Sequence, residues 1–214
     1  HAPLQANIYM DIQQEPRQVP PGQIKIENAL RTLLVQKDFN SITTAEIART
    51  SGVNEALIYR YFKDKRGLLH HVLANDLKAL VSSIKTELKD IDGELAKLHS
   101  LIRGHIHYYA ENRIFAKILL LEVRNHPAYF KSEPYRIVQK YGSMILELIE
   151  TGIKNKEIRN DLAPAIIRQV ILGGIEHLCL PGVIFERDIP ADQYAGDLCE
   201  IISHGVSTQS SKET

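Results

Sequence analysis

Apolar residues recur every three or four positions along most of the chain, and alternation by two is nowhere sustained. That is the periodicity of helices with one buried face. Ile26, Leu30, Leu33 and Leu34 predict a helix over about 23–37. Leu69, Val72, Leu73, Leu77 and Leu80 predict a long one over about 65–89, and Leu95, Leu98, Ile102 and Ile106 another over about 93–111. A sixth helix is expected over 114–124, ahead of the Asn125-His126-Pro127 break. Ile137, Tyr141, Met144, Ile145, Leu148 and Ile149 mark a seventh over about 134–155. An eighth starts at Ala163-Pro164, where proline suits the first turn, and a ninth covers about 191–206. Two much shorter helices are expected between the first and the long one. The fold class is therefore all-α with about nine helices, and no strand or internal repeat is visible.

The two short helices are the most informative stretch. Thr43 and Glu46 have capping-box spacing, so a helix starts there, with Ile47 and Ala48 on its apolar face. Gly52 follows where a left-handed residue must reverse the chain. Val53 plugs the turn, and Asn54 caps a second helix over about 55–61. Leu57, Ile58 and Phe62 can face inward, leaving Glu55, Ala56, Tyr59 and Arg60 outside. A helix of about seven residues is not stable alone, so it must pack on the longer helices beside it. This is the pattern of a helix-turn-helix, whose second helix enters a DNA major groove. Tyr59, Tyr61 and Phe62 cannot all face inward, and Arg60, Lys63, Lys65 and Arg66 surround the exposed one.

Charge sharpens the reading. The whole chain has zero formal charge, but residues 21–70 hold eight Lys and Arg against five Asp and Glu, a local net charge of +3. In a dimer that positive field is doubled. Hydrophobic residues make up 44% of the 214, enough for a globular core. Cys179 and Cys199 lie in apolar segments without a Cys-x-x-Cys partner, which favours buried free thiols and a reducing, cytoplasmic setting. No run of 18 apolar residues predicts a membrane span. Residues 1–9 lack the regions of a signal peptide and are set aside as candidate vector sequence, with Met10 the candidate natural start. Residues 1–20 as a whole read as a flexible arm, with only Arg17 basic, and residues 208–214 as a disordered tail.

The string Ile47-Ala48, Gly52-Val53-Asn54, then Leu57 through Lys65 with Leu68, carrying Tyr59-x-Tyr61-Phe62-x-x-Lys65, resembles the DNA-binding domain of TetR-family transcriptional regulators over about 22–73. The resemblance implies a helix-turn-helix domain at 21–70 and an effector-binding and dimerisation domain at 71–207. It implies that Thr44 bonds a phosphate, and that Asn54, Glu55, Ala56 and Leu57 lie at the groove-facing start of the recognition helix. Tyr59 and Tyr61, with Arg60 between them, touch the backbone or base edges, and Lys65 holds a phosphate. Many members have glycine or a small polar residue where this chain has Glu55 and Ala56, so Glu55 either accepts from a cytosine amino group or simply caps its helix.

Between the fourth and eighth helices lie the ingredients of an internal pocket: Phe115, Leu119 and other apolar residues with His105, Tyr109, Glu122, Arg124 and Tyr141 among them. In TetR-like regulators this region binds a small effector. Leu-Glu-Val-Arg-Asn at 121–125, Tyr129-Phe130, Gly152-Ile153 and Glu157-Ile158 are similar to the acyl-CoA-responsive branch, which implies an acyl-CoA or lipid-like effector and makes Arg124 its candidate anion partner. The alternative for Glu122 and Arg124 is an internal ion pair. The eighth helix is apolar around much of its circumference and carries the costly pair Gly173-Gly174. A homodimer interface built from Ile167, Val170, Ile171, Gly174, Ile175 and Leu178 with Leu198 and Ile202 of the last helix accounts for both; the alternative is a glycine pair packed inside one subunit. Two-fold symmetry also lets two recognition helices read a palindromic operator.

No metal site and no cofactor are expected. His105 and His107 point to different sides of one helix, and His70-His71 and His177 with Cys179 are equally poor pairs. Neither a nucleophile elbow nor a glycine-rich phosphate loop is present. The function these observations favour is a ligand-responsive DNA-binding repressor released from a palindromic operator by a small hydrophobic effector. The alternatives are an effector-binding helical protein with a non-functional DNA head, and a small helical enzyme using His105, Glu122 and Tyr141.

Overall fold

A computed structural model describes residues 19–207, so the arm before Val19 and the tail after Ser207 lie outside the described residues. Among the described residues there are nine α-helices, and the only extended pairing is an isolated bridge between Ile158 and Ser207. The amino-terminal unit consists of α1 (Pro21–Gln36), α2 (Thr44–Ser51) and α3 (Ala56–Phe62), with a 3₁₀ turn at Phe39–Ser41 between α1 and α2. Ile26, Leu30 and Leu34 of α1, Phe39, Ile42, Ile47 and Ile58 are all essentially sealed from solvent and form its core.

The local start and stop signals operate as chemistry requires. The Thr43 hydroxyl accepts from the Glu46 amide at 3.2 Å. The Glu46 carboxylate pairs with Lys37 at 2.6 Å, which holds it below the usual carboxylate range and ties α2 to the end of α1. Gly52 stands at φ +67° and donates back to Ala48 and Arg49 carbonyls, closing α2. Asn54 Oδ1 accepts from the Ala56 amide at 2.8 Å and so opens α3.

α4 (Lys65–Leu88) is 24 residues long, about 36 Å, and runs continuously from this head into the larger unit. Asp64 caps it by accepting from the Gly67 amide at 2.7 Å. Arg31 of α1 grips Asp76 of α4 through two bonds of 2.8 and 2.6 Å, and Glu27 meets His71 at 3.1 Å. The first half of α4 is therefore bolted to the head by side chains as well as by apolar packing.

The larger unit contains α5 (Glu94–Glu111), α6 (Arg113–Lys117), α7 (Glu133–Lys154), α8 (Pro164–Ile184) and α9 (Ala191–Val206). The sixth helix does not run to Arg124 as an α-helix. It changes at Ile118 into a π turn through Glu122, with the Val123 amide reaching back to the Ile118 carbonyl at 3.2 Å. A 3₁₀ segment, Pro127–Lys131, follows.

α8 settles the glycine pair. A Cβ on Gly174 would lie 2.9 Å from Leu198 of α9 in the same chain, while one on Gly173 would meet nothing within 4 Å. The close approach that excuses Gly174 is intramolecular. Cys179 and Cys199 are buried free thiols, and burial pushes the Cys179 thiol up to about 11.

Candidate functional site

The exposed side of α3 rests on a buried one. Ile58 is sealed and Phe62 nearly so, the latter with its ring centroid 5.2 Å from that of His71 on α4. Leu57 and Tyr61 are half-buried beside Gly22 at the start of α1, where a Cβ would lie 3.6 Å from Leu57 and 3.9 Å from Tyr61. Neither is a free groove-facing side chain, which corrects the placement implied for Leu57 and limits Tyr61 to its outer edge. Asn54, Ala56 and Arg60 are exposed, Glu55 is half-buried, and Tyr59 is 51% exposed. Asn54 is occupied by its cap. The Tyr59 hydroxyl stands 3.3 Å from Thr44 Oγ1, so the first turn of α2 and the middle of α3 present a joined pair of hydroxyls on one surface.

Lys65 is corrected. Its ammonium is turned inward and donates to the Phe39 carbonyl at 2.9 Å and the Ile42 carbonyl at 2.6 Å, 4.4 Å from the centroid of the Phe39 ring. Burial, with Arg66 beside it, lowers its pKa. Two of its three donors close the link between α1 and α2 rather than reach a phosphate. A second residue at this junction carries no periodic signal: Gly67, where a Cβ would overlap the Phe62 carbonyl oxygen. Only glycine lets α4 start so close to the end of α3.

In the larger unit His105, Tyr109, Phe115, Leu119 and Tyr141 do come together, and all are buried. The Tyr141 hydroxyl lies 3.2 Å from His105 Nδ1, and Tyr109 packs edge-on against His105 with centroids 4.7 Å apart. Burial pushes the His105 pKa down to about 4, so its ring is neutral at pH 7. Arg124 sits at the rim and forms a two-bond fork with Glu176 of α8 at 2.8 and 2.6 Å. That ion pair, rather than an open cationic site, is what the resting structure holds; Glu122 is not part of it. Glu176 has no signal in the sequence that singles it out.

Two further cations tie elements end to end. Arg113 of α6 donates to the Gly182 and Arg187 carbonyls, each at 2.6 Å, at the end of α8. One turn later Lys117 donates to the Leu34 and Lys37 carbonyls at 3.2 and 3.4 Å, at the end of α1, and pairs with the Asp38 carboxylate at 3.4 Å.

The eight predicted dimer residues divide between the core and an apolar groove. Ile167, Ile171, Ile175, Leu198 and Ile202 are buried inside the chain, Gly174 faces Leu198, and Leu178 is half-buried. Of the eight, Val170 alone lies on an open face, at 54% exposure, beside Ile166 at 60% and Ile201 at 67%. Leu162, Ile166, Val170, Ile201 and Gly205 line a shallow apolar groove between α8 and α9, and the predicted Ile167 and Ile202 lie at its floor. By length and composition α8 could cross a membrane, but one side of it is in the core and Arg168 and Glu176 interrupt it.

Two family models divide the chain between them: that of the bacterial regulatory proteins, tetR family, matches residues 26–72, and that of the YsiA-like protein C-terminal region matches residues 73–205. The chain belongs to the TetR family. It is thus a DNA-binding transcriptional regulator of the ligand-responsive kind. This TetR-family protein is 21% identical to the fatty acid metabolism regulator protein of Bacillus subtilis over 190 residues, 89% of this chain and 98% of that one. Its fold is shared with the fatty acid degradation regulator FadR of Bacillus halodurans, with a TM-score of 0.79 at 18% identity over 88% of this chain and 98% of that one. It is shared equally with FadR of Bacillus subtilis, solved in complex with stearoyl-CoA, with a TM-score of 0.78 at 21% identity over 85% and 98%.

Proposed function

We propose that this regulator is a cytoplasmic homodimeric repressor that leaves a palindromic operator when a fatty acyl-CoA or similar lipid-like effector enters its larger unit. In this reading residues 21–70 read DNA, and residues 71–207 bind effector and partner. Two α3 helices sit in successive major grooves, about 34–36 Å apart. Ala56, Tyr59 and Arg60 face the groove, and the Thr44–Tyr59 hydroxyl pair bonds the flanking phosphate. The dimer forms across the groove between α8 and α9, so the two heads hang from a shared base.

The observation that carries the DNA half is the hydroxyl pair at 3.3 Å on an otherwise exposed α3 face. The effector half is supported by a core of buried rings beneath a rim arginine, together with the stearoyl-CoA complex of a protein of the same fold. An effector acts only through its difference in affinity for the DNA-bound and released forms. The test has two steps. Operator sequences are first selected from random duplexes with the purified dimer, and release is then followed by fluorescence anisotropy as palmitoyl-CoA is added. Palindromic half-sites and release by palmitoyl-CoA are expected. Selection without two-fold symmetry would remove the palindrome, and undiminished binding at saturating palmitoyl-CoA would remove the effector class. Tyr59→Phe is expected to weaken operator binding at unchanged Tm; equal affinity would take the hydroxyl out of the contact.

A further inference from the structure

Among the described residues, few buried side-chain polar atoms lack a hydrogen-bond partner, and two of them are neighbours: His105 Nε2 and the Tyr109 hydroxyl. They lie one turn apart on α5, with His105 4% exposed and Tyr109 fully buried. Leaving such groups unpaired is costly, and native structures rarely do so without a reason.

The neighbouring contact decides which hydrogen each carries. A neutral His105 has one ring proton. If that proton sat on Nδ1, the Tyr141 oxygen would accept it and the phenol proton of Tyr141 would be stranded in the core. If Tyr141 instead donates to Nδ1, both groups use the 3.2 Å contact and the ring proton sits on Nε2. The unpartnered pair is then a donor beside a donor, N–H of His105 and O–H of Tyr109. Phe115 covers Tyr109, with ring centroids 5.8 Å apart, and belongs to α6, just ahead of the π turn. The rings packed on them offer no acceptor to either donor, and the Glu176 carboxylate, whose charge both groups feel, is taken up by the two-bond fork of Arg124.

We propose that His105 and Tyr109 form a two-donor clamp for a carbonyl oxygen carried on an otherwise apolar effector. A carbonyl has two lone pairs and no proton, so it satisfies both donors at once. An alkyl chain satisfies neither. This deepens the effector reading and rests on it for where the ligand lies, but it specifies the recognised group rather than the ligand family: a thioester and a ketone present the same oxygen.

The test uses the full-length dimer and two pairs of probes that differ by that oxygen: palmitoyl-CoA against S-hexadecyl-CoA, and 2-hexadecanone against hexadecane. Affinities are read by displacement of a fluorescent fatty acid and by native mass spectrometry. The carbonyl member of a pair is expected to bind about tenfold tighter than its twin. Tyr109→Phe and His105→Phe are each expected to shrink that ratio towards one while leaving the affinity for the carbonyl-free twin unchanged. Since Tyr109→Phe deletes an unpaired hydroxyl, its Tm should equal or exceed that of the parent. Discrimination confined to the ketone pair, with neither CoA probe bound, supports the clamp and removes the acyl-CoA effector. Equal binding of both CoA probes keeps that effector and overturns the clamp, showing the donors to be satisfied by solvent. Discrimination that survives both substitutions, or no binding of any probe, overturns it as well.

Discussion

Replacing Lys65 by methionine separates two roles that the same side chain could play. Methionine keeps most of the stem and removes the ammonium that bonds the Phe39 and Ile42 carbonyls. Each charge-assisted bond is worth about 1.5–3 kcal/mol when buried. Water reaches this turn from one side, so about 2 kcal/mol for the pair is the reasonable total. In a protein of this size 1 kcal/mol moves Tm by about 2–4 °C, and the expected loss is therefore about 4–8 °C. The melt is followed by circular dichroism at one fixed protein concentration, because the melting point of a dimer depends on it. In parallel, affinity for a non-specific duplex is measured across a salt gradient, where each lysine on a phosphate adds roughly one to the slope of log affinity against log salt. Lys65→Met should melt earlier and keep the parent slope. A variant that melts with the parent and loses about one from the slope would refute the internal role and put this ammonium on the DNA.

Three more expectations follow from geometry already given. Gly67→Ala drives a methyl group into the Phe62 carbonyl, so the head should lose duplex binding and show an early melting transition; parent-like affinity would mean the α3–α4 junction yields easily. Val170→Asp puts a charge on the open face of α8 and should give a folded monomer by analytical ultracentrifugation, whereas a dimer at micromolar concentration would place the interface elsewhere. The buried His105, its pKa depressed from 6.5 to about 4, makes the unfolded chain bind a proton first. Stability tied to it is full above pH 6.5 and declines as pH falls towards 4, by roughly 3 kcal/mol. Urea titrations between pH 7 and 4.5 should show that decline reduced in His105→Phe, and an identical pH profile would assign it to other groups.

What could be read from the chain was local. Thr43, Gly52 and Asn54 act within four residues of themselves, and each does what its type and spacing imply. The inward and outward faces of α3 were legible for Ile58 and Tyr59, but Leu57 and Tyr61 depend on Gly22, which arrives from the far end of α1. Lys65 escaped for the same reason: its acceptors lie 26 and 23 residues away and are backbone atoms, which no side-chain pattern announces. On α8 the periodicity was sound but left its phase open. A helix apolar on nearly every side gives equal grounds for each face, and only the seat of Leu198 against Gly174 tells the inner stripe from the outer one. The core of the larger unit was legible as a set, since His105, Tyr109 and Tyr141 do meet. That Arg124 is already engaged required Glu176, 52 residues further on.

The fastening of α6 has a consequence for how this protein can change over evolutionary time. Arg113 ends on main-chain oxygens, those of Gly182 and Arg187, and Lys117 on those of Leu34 and Lys37, with the Asp38 carboxylate also 3.4 Å from its ammonium. Any residue type supplies such an oxygen, and of the four positions only Gly182 is fixed by packing, since a Cβ there would lie 2.5 Å from Ile189. Drift at Arg187, Leu34 and Lys37 leaves the fastening intact, so statistical analyses that search for paired substitutions would link Lys117 to Asp38 alone and find Arg113 without a side-chain partner. Most of the tie between the end of α8 and the reading head would be absent from such a map while remaining physically in place.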